Sequence, residues 1–513
     1  MSSTDNTQKK FPRTYWREIE LPTFKSLDQD INVDVAIVGG GITGITAAYL
    51  LTKEGLNVAI LEAGGILNGT TGHTTAKLTA QHGLIYDEFI HHLGKEKARK
   101  YYESMMMAVQ FVENTVKEKG IDCDFSKQEA YVYATTDEYA AKLKNEWEAY
   151  KSLDIDGALK DSIPFNIPVK AALMMSNQAQ FHPLKFLKAL LEEAIKKGCS
   201  VYENTVADDI EDDYQEPKVV TKSGQRVTAK HVIIASHFPF YDKPGLYFAR
   251  MYADRSYAIG VKTNQEYPGG MYISADSPSR SIRYTPLDNG ENLLIVGGEN
   301  HKTGQGVDTL KHFEELQRFT EEVFGINEYQ YRWSAQDNVT LDKIPYIGPY
   351  TSERKNVLVA TGYKKWGMST GILAAHLLTD LIVRGSNRFQ EIYSPSRFQA
   401  DPDLKSVIST NADVAKHLLK GKLEMIERVP DDLQNGEGSV VLYQGKRAGA
   451  YKDDNGTLYI VDTTCTHLGC ECEWNHAEKS WDCPCHGSRY SYAGDVIEGP
   501  THKPLGLLRK GEV

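Results

Sequence analysis

Cysteine is scarce over most of this chain. Of seven cysteines in 513 residues, only Cys123 and Cys199 precede position 465. Two scattered thiols build no disulfide framework, which excludes the small stapled secreted class, and both read as small buried residues. Long apolar runs are missing as well. The most apolar early stretch, residues 35–51, is short and broken by glycine, which suits a buried strand and helix and not a membrane span. The opening Met-Ser-Ser-Thr-Asp-Asn-Thr-Gln-Lys-Lys is polar. It lacks the apolar core of a signal peptide, so cytoplasmic residence is the default expectation. Positive charge is in deficit: 58 Lys and Arg against 69 Asp and Glu give a net charge of −11. That balance speaks against nucleic acid as a main partner. No internal repeat is visible.

The rest is ordinary globular composition, 41% hydrophobic and 25% charged, over a length that suits about three domains at roughly 150 residues each. Residues 1–30 read as a polar lead. Strands are expected over 33–38, 58–61, 129–135, 201–206, 232–235 and 357–360. Helices are expected over 45–53, 86–119, 182–197 and 372–384, with Met105, Met106 and Met107 filling core. Residues 245–335 read as an inserted, strand-rich antiparallel layer. A linker with a lone helix near 407–419 leads to short strands and turns from about 423, an all-β pattern.

Gly39-Gly40-Gly41-Ile42-Thr43-Gly44 follows the first strand and opens a helix, and Glu62 stands at the end of the next strand. A lone G-x-G-x-x-G is weak evidence, but this context is that of a dinucleotide site. Gly39 permits the tight turn, Gly41 lets backbone approach a pyrophosphate, and Gly44 lets helix and strand pack closely. The helix N-terminus offers N–H groups to phosphate, and Glu62 can accept hydrogen bonds from ribose hydroxyls. Only one such fingerprint is present, which favours FAD over a nicotinamide cofactor. A second glycine-rich turn, Gly362-Tyr-Lys-Lys-Trp-Gly367-Met368-Ser-Thr-Gly371, opens another helix whose N–H groups suit negative charge on a reduced flavin.

Near the C-terminus stand Cys465-Thr-His467-Leu-Gly-Cys470 and Cys483-Pro-Cys485-His486-Gly-Ser488. Two Cys-plus-His pairs match a Rieske [2Fe–2S] centre, in which two thiolates hold one iron and two imidazoles the other. Cys₂His₂ is also a zinc set.

The first two-thirds of the chain resembles the D-amino-acid oxidase/glycine oxidase family. The likeness rests on Asp34-Val-Ala-Ile-Val-Gly-Gly-Gly-Ile-Thr-Gly44, on the stretch 201–206, and on Pro345-Tyr-Ile-Gly348 followed by Gly362, Gly367, Met368 and Gly371. It implies an α/β Rossmann-like FAD-binding domain with an α+β antiparallel-sheet substrate domain, together spanning 31–395. FAD-binding segments would cover about 31–90, 175–240 and 340–390, and substrate-domain segments about 91–174 and 241–339. It also implies hydride transfer to flavin from the carbon beside an amine nitrogen, and backbone contact of Val206 with the adenine side.

Gly69-Thr-Thr-Gly-His73-Thr-Thr-Ala-Lys77 resembles the stretch where dimethylglycine and sarcosine dehydrogenases join a histidine to the flavin. His73 matches that histidine, and Gly72 replaces the usual tryptophan. Arg283 is the candidate for holding a substrate carboxylate, ahead of Arg255 and Tyr252. His237 stands where the family shows a small residue, either near the flavin or capping a strand.

The two cysteine–histidine loops resemble the Rieske proteins of quinol–cytochrome complexes, over 423–513 after a linker at 396–422, and this decides between iron–sulfur and zinc. The resemblance implies an all-β Rieske domain with Cys465, His467, Cys483 and His486 as ligands and a Cys470–Cys485 disulfide. Ser488 and Tyr490 would donate hydrogen bonds that raise the cluster potential, and Glu498-Gly-Pro500 would cover the cluster. Cys472 is an additional thiol.

The expected whole is an FAD-dependent dehydrogenase of a small amine or amino acid. Its electrons would leave through the cluster to an unidentified one-electron acceptor. The alternatives are a flavin/Rieske reductase serving a partner enzyme, or a non-catalytic redox sensor.

Overall fold

The computed structural model describes residues 13–211, 215–242, 245–306, 308–397, 411–418 and 426–512. Three bodies of secondary structure result. The first is an eight-stranded sheet in the order Tyr346–Pro349, Val357–Thr361, Arg226–Ile234, Ile31–Val38, Val58–Leu61, Ser200–Tyr202, with the strand Lys218–Thr221 attached to Arg226–Ile234 and Ala207–Glu211 attached in turn to Lys218–Thr221. Its central pairs are parallel. The strand Val58–Leu61 is buried along its whole length, as expected where helices cover both faces. The helices Ile42–Lys53 and Gly367–Arg384 pack against one another at Gly371, where a Cβ would stand 2.6 Å from Ile42 Cγ2. Gly371 therefore serves close helix packing.

The second body is a nine-stranded mixed sheet that runs from Glu328–Thr340 at one edge through Met251–Lys262, Asn292–Lys302 and Arg280–Pro286 to Lys77–Leu78. One of its faces packs on the helix Thr309–Phe324 through Phe313, Leu316 and Phe324. That helix lies inside the region read as strand-rich, where no helix is assigned from the sequence. The other face turns toward the first body: Trp333, Ala258 and Ile295 join the large core cluster there. The strand Ala171–Gln180 pairs wholly within this sheet, across the boundary expected at 175.

The third body, residues 438–512, is two four-stranded antiparallel sheets. Of the helix expected over 407–419, residues 411–418 are helical and the remainder lies outside the described residues. The long helix expected over 86–119 is two helices, Tyr86–Leu93 and Lys95–Lys119, broken at Gly94 with φ +84°. The strand expected over 201–206 stops at Tyr202, and the Val206 carbonyl instead accepts from the Lys222 N–H at 2.9 Å. Among the described residues no helix is long and apolar enough to cross a membrane.

The polar lead is partly structural. Trp16 is fully buried, and its indole donates to the Thr74 carbonyl at 2.7 Å. Thr14 Oγ1 donates to the Gly72 carbonyl at 2.8 Å. Residues 14–16 thus clamp the segment that carries His73.

Candidate functional site

The nucleotide cradle is fixed by backbone crowding that tolerates no side chain. At Gly44 a Cβ would lie 2.0 Å from the Gly39 carbonyl oxygen, and at Gly39, with φ +115°, 2.4 Å from the Ala235 carbonyl oxygen. Glu62 accepts from the Gly40 N–H at 2.8 Å and the Gly64 N–H at 2.9 Å. Burial raises its carboxyl above the usual range, against the pull of those N–H groups. A carboxylate with about four acceptor positions retains capacity for two ribose hydroxyls. Glu203 buttresses the loop by accepting from Ile66 N–H and Phe24 N–H, both at 2.8 Å. The Gly362 turn joins the same cradle: Thr43 Oγ1 and Tyr363 OH are 2.8 Å apart. Beside that turn Thr340 Oγ1 is buried without a partner, and a Cβ on Gly362 would meet Thr340 Cγ2 at 2.4 Å. Crowded glycines, two converging helix N-termini and an orphaned hydroxyl fit an FAD.

The segment 70–76 crosses the inner face of the nine-stranded sheet and runs into its edge strand Lys77–Leu78. Trp333 Nε1 donates to the His73 carbonyl at 2.9 Å, and a Cβ on Gly297 would meet Thr75 Cγ2 at 3.3 Å. His73 Nδ1 pairs with the Gly69 carbonyl at 2.9 Å, which leaves Nε2 as the free ring nitrogen. Burial lowers its pKa, so the ring is neutral. The departure at Gly72 has a steric cause, since a Cβ there would sit 2.5 Å from the Leu67 carbonyl oxygen.

Arg283 does not stand free for a carboxylate. It donates to the carbonyls of Ala76 at 2.8 Å, Thr75 at 3.3 Å and Tyr284 at 2.9 Å. Arg255 is drawn away to Ser334 and Glu478. His237 is turned toward Glu498, with Nε2 3.6 Å from its carboxylate.

In the C-terminal body the cysteine–histidine loops converge. Among the described residues, the thiols of Cys465, Cys472 and Cys483 lie within 4.8 Å of one another, and no histidine nitrogen falls inside that group. The His467 and His486 rings are 5.1 Å apart and perpendicular, and His467 Nδ1 is buried without a partner. A single tetrahedral zinc would draw two thiolates and two imidazoles onto one point at ligand distances of about 2.0–2.3 Å. Thiols on one side and imidazoles on the other fit a two-iron cluster. Cys470 and Cys485 form a disulfide between the loops. Tyr490 OH is 3.2 Å from Cys465 Sγ. Ser488 Oγ accepts from the Thr501 N–H at 3.2 Å, which directs its own proton elsewhere. The nearness of Cys472 to both cluster thiols is not legible in the motif.

The match to known proteins follows the same division. The model of the FAD-dependent oxidoreductases matches residues 34–381, and that of the Rieske [2Fe–2S] domain residues 425–509. The chain belongs to the FAD-dependent oxidoreductase family. It carries a C-terminal Rieske domain and binds FAD and a [2Fe–2S] cluster. It is 52% identical to the putative Rieske 2Fe-2S iron-sulfur protein YhfW of Bacillus subtilis, over 97% of both chains. It is 26% identical to gamma-glutamylputrescine oxidoreductase of Escherichia coli, over 71% of this chain and 87% of that one. In fold it is similar to glycine oxidase of Geobacillus kaustophilus, with TM-score 0.60 and 22% identity over 72% of this chain and 99% of that one.

In this oxidoreductase the Rieske domain sits with its histidine edge against the rest of the chain, at residues 248–336. Phe248 meets the His467 ring edge-on at 5.3 Å and the His486 ring at 5.4 Å. Around that contact Gln336 Nε2 donates to the Gly487 carbonyl at 2.9 Å, and Gln305 Nε2 to the Pro484 carbonyl at 3.2 Å. Thr309 Oγ1 donates to Asn475 Oδ1 at 2.7 Å. Glu478 lies buried between Arg255 and Arg489.

The hydroxyl of Tyr490 favours negative charge on Cys465, and a reduced cluster carries more of it. Tyr490→Phe should keep the Rieske EPR signal and lower the potential by about 60 mV, the equivalent of one hydrogen bond to a charged group. A redox titration followed by EPR measures this, and an unchanged potential refutes the role.

Proposed function

We propose that this oxidoreductase dehydrogenates a small amine or amino acid and passes the electrons singly through its own Rieske centre to an external acceptor. The observation that carries the reading is the placement of Phe248 across His467 and His486. The two histidines that would hold one iron are covered by the oxidoreductase part of the same chain, which supports transfer of electrons within one chain. Bound FAD supplies a hydride acceptor, and the cluster a one-electron carrier.

The chain's residues do the positioning. Gly39, Gly41 and Gly44 admit the pyrophosphate and Glu62 takes the ribose. The turn at Gly362–Gly367 and the segment carrying His73 flank the reacting end, and Trp16 and Thr14 hold that segment still. Cys465, Cys483, His467 and His486 ligate the irons, and the Cys470–Cys485 bridge ties their loops together. The Escherichia coli relative is named for gamma-glutamylputrescine, which supports a nitrogenous substrate.

The test is an anaerobic screen of amines, N-methyl amino acids, D-amino acids and NADPH. Flavin bleaching and the Rieske EPR signal are followed together. Bleaching by an amine or amino acid with concurrent appearance of the reduced-cluster signal is the expected result. Bleaching by NADPH alone overturns the reading in favour of a reductase, and bleaching without a cluster signal overturns the coupling.

A further inference from the structure

One buried acid on the flavin side of the nine-stranded sheet accepts no hydrogen bond and makes no ion pair of its own among the described residues. Asp337 is 9% exposed, and among the described residues nothing donates a hydrogen bond to its carboxyl. Its strand fixes where it points. Ser334 and Gln336 reach the Rieske domain from one face. Side chains alternate along a strand, so Asp337 shares the opposite face with Trp333, which holds the His73 carbonyl.

The glycine-rich turn runs along the same stretch. Lys364 N–H donates to the Asn338 carbonyl at 3.0 Å, and Val339 bridges Tyr363. Asp337 therefore lies between the two segments that flank the reacting end of the flavin.

The charges around it do not balance. Asp254 is directly opposite on the neighbouring strand, and it already has Lys365 at 3.0 Å and Asn300 at 3.2 Å. Glu498 adds a further acid nearby. Burial pushes the Asp337 carboxyl up to about 8, with Lys365 pulling the other way. A buried carboxylate whose neighbouring cation, Lys365, is already paired with another acid is costly, and a cation brought by the substrate would complete the set.

The two arginine candidates do not serve a carboxylate on this face. Arg283 is spent on three backbone carbonyls, and Arg255 meets Glu478 from the opposite face of the sheet, beside Ser334 and Gln336. The Lys77 amine donates to Ser281, and burial beside Arg283 holds it down to about 7, so it is no fixed positive charge at neutral pH.

We propose that Asp337 anchors the ammonium group of a di- or polyamine substrate. The nitrogen at the flavin must be neutral, because its lone pair assists loss of hydride from the adjacent carbon. A carboxylate holds an amine protonated. The nitrogen paired with Asp337 is therefore a second one, remote from the carbon that is oxidised. This inference rests on the amine reading above and narrows it.

The test uses the holoenzyme under anaerobic conditions with 1,4-diaminobutane, spermidine, butylamine, sarcosine, D-alanine and NADPH as probes. Binding is read from perturbation of the oxidised flavin spectrum, and reduction from bleaching. The wild type should bleach with a diamine or polyamine in preference to sarcosine or D-alanine. Asp337→Asn should weaken diamine binding about thirty-fold, the loss of one charge-assisted bond, and leave butylamine binding unchanged. Flavin content and the Rieske signal report that the variant is folded.

Preference of the wild type for sarcosine or D-alanine overturns the proposal whether or not the variant folds, while leaving the amine reading intact. Unchanged diamine affinity in Asp337→Asn overturns it too. Bleaching by NADPH alone removes the amine reading itself.

Discussion

Cys483→Ser protein should retain its flavin, lose the Rieske EPR signal outright, and fail to pass electrons to a one-electron acceptor. A hydroxyl is a poor replacement for a thiolate on iron, so loss of the cluster is expected and not a shift in its potential. The fold around the site should survive, because Cys470–Cys485 still joins the loops and the Cys483 N–H bond to the Ser488 carbonyl at 2.8 Å is made by backbone. Anaerobic bleaching by substrate should proceed at the wild-type rate, since the nucleotide cradle lies elsewhere.

The nearby third thiol makes this a sharp test. Cys472 is grouped with Cys465 and Cys483, so distance alone does not choose which two of the three hold the iron. The motif chooses Cys465 and Cys483. Cys472→Ser should then keep the signal. Loss of signal in Cys472→Ser with retention in Cys483→Ser would reverse the assignment.

What was legible in the sequence was what local chemistry constrains. Gly39 and Gly44 show because a side chain there would collide with backbone a few residues or one strand away. The four cluster ligands show because they are confined to two short loops. Elements set by contacts between distant segments did not show. Phe248 acquires its role only from His467 and His486, and Glu478 its place in the docking from Arg255, each more than 200 residues away along the chain, and neither sits in a motif. Trp16 lies in a lead that reads as polar, and its burial depends on the Thr74 carbonyl.

Arg283 shows the converse failure. Residue type and a place on the inserted sheet suggested a carboxylate partner, but the carbonyls of Thr75 and Ala76 come within reach once the segment 70–76 folds across the sheet. The helix Thr309–Phe324 could have been found. Its buried residues Thr309, Phe313, Leu316, Thr320 and Phe324 recur every three or four positions, a helical period inside a strand-rich region.

Glu478→Gln should uncouple the two redox halves without removing either cofactor. Glu478 is the acid that Arg255 reaches across the domain boundary, and Arg489 meets it at 2.5 Å from the cluster side. Arg489 keeps Asp482 at 3.1 Å, but Arg255 has no second acid within ion-pair reach among the described residues and is 1% exposed. Leaving such a charge unpaired costs on the order of 3–5 kcal/mol, enough to loosen a docked interface made otherwise of the Phe248 ring contacts, the His237–Glu498 approach and single hydrogen bonds. Flavin bleaching should stay at the wild-type rate, and the cluster's subsequent reduction should slow at least tenfold in rapid-mixing experiments. Equal rates in variant and wild type would show that the ion network does not hold the docking.

Acid should act on the same link in the wild type. Burial alone would raise the Glu478 carboxyl, but the two guanidiniums outweigh it and hold the group down to about 2. A carboxyl depressed in the docked state lends stability above its free value of about 4.5 and loses it as pH falls toward 2. Coupled cluster reduction should therefore persist down to about pH 4.5 and fail below it. Replacing the pair together, Arg255→Met with Glu478→Leu, removes the buried charges instead of orphaning one, and should restore much of the coupling that Glu478→Gln alone destroys.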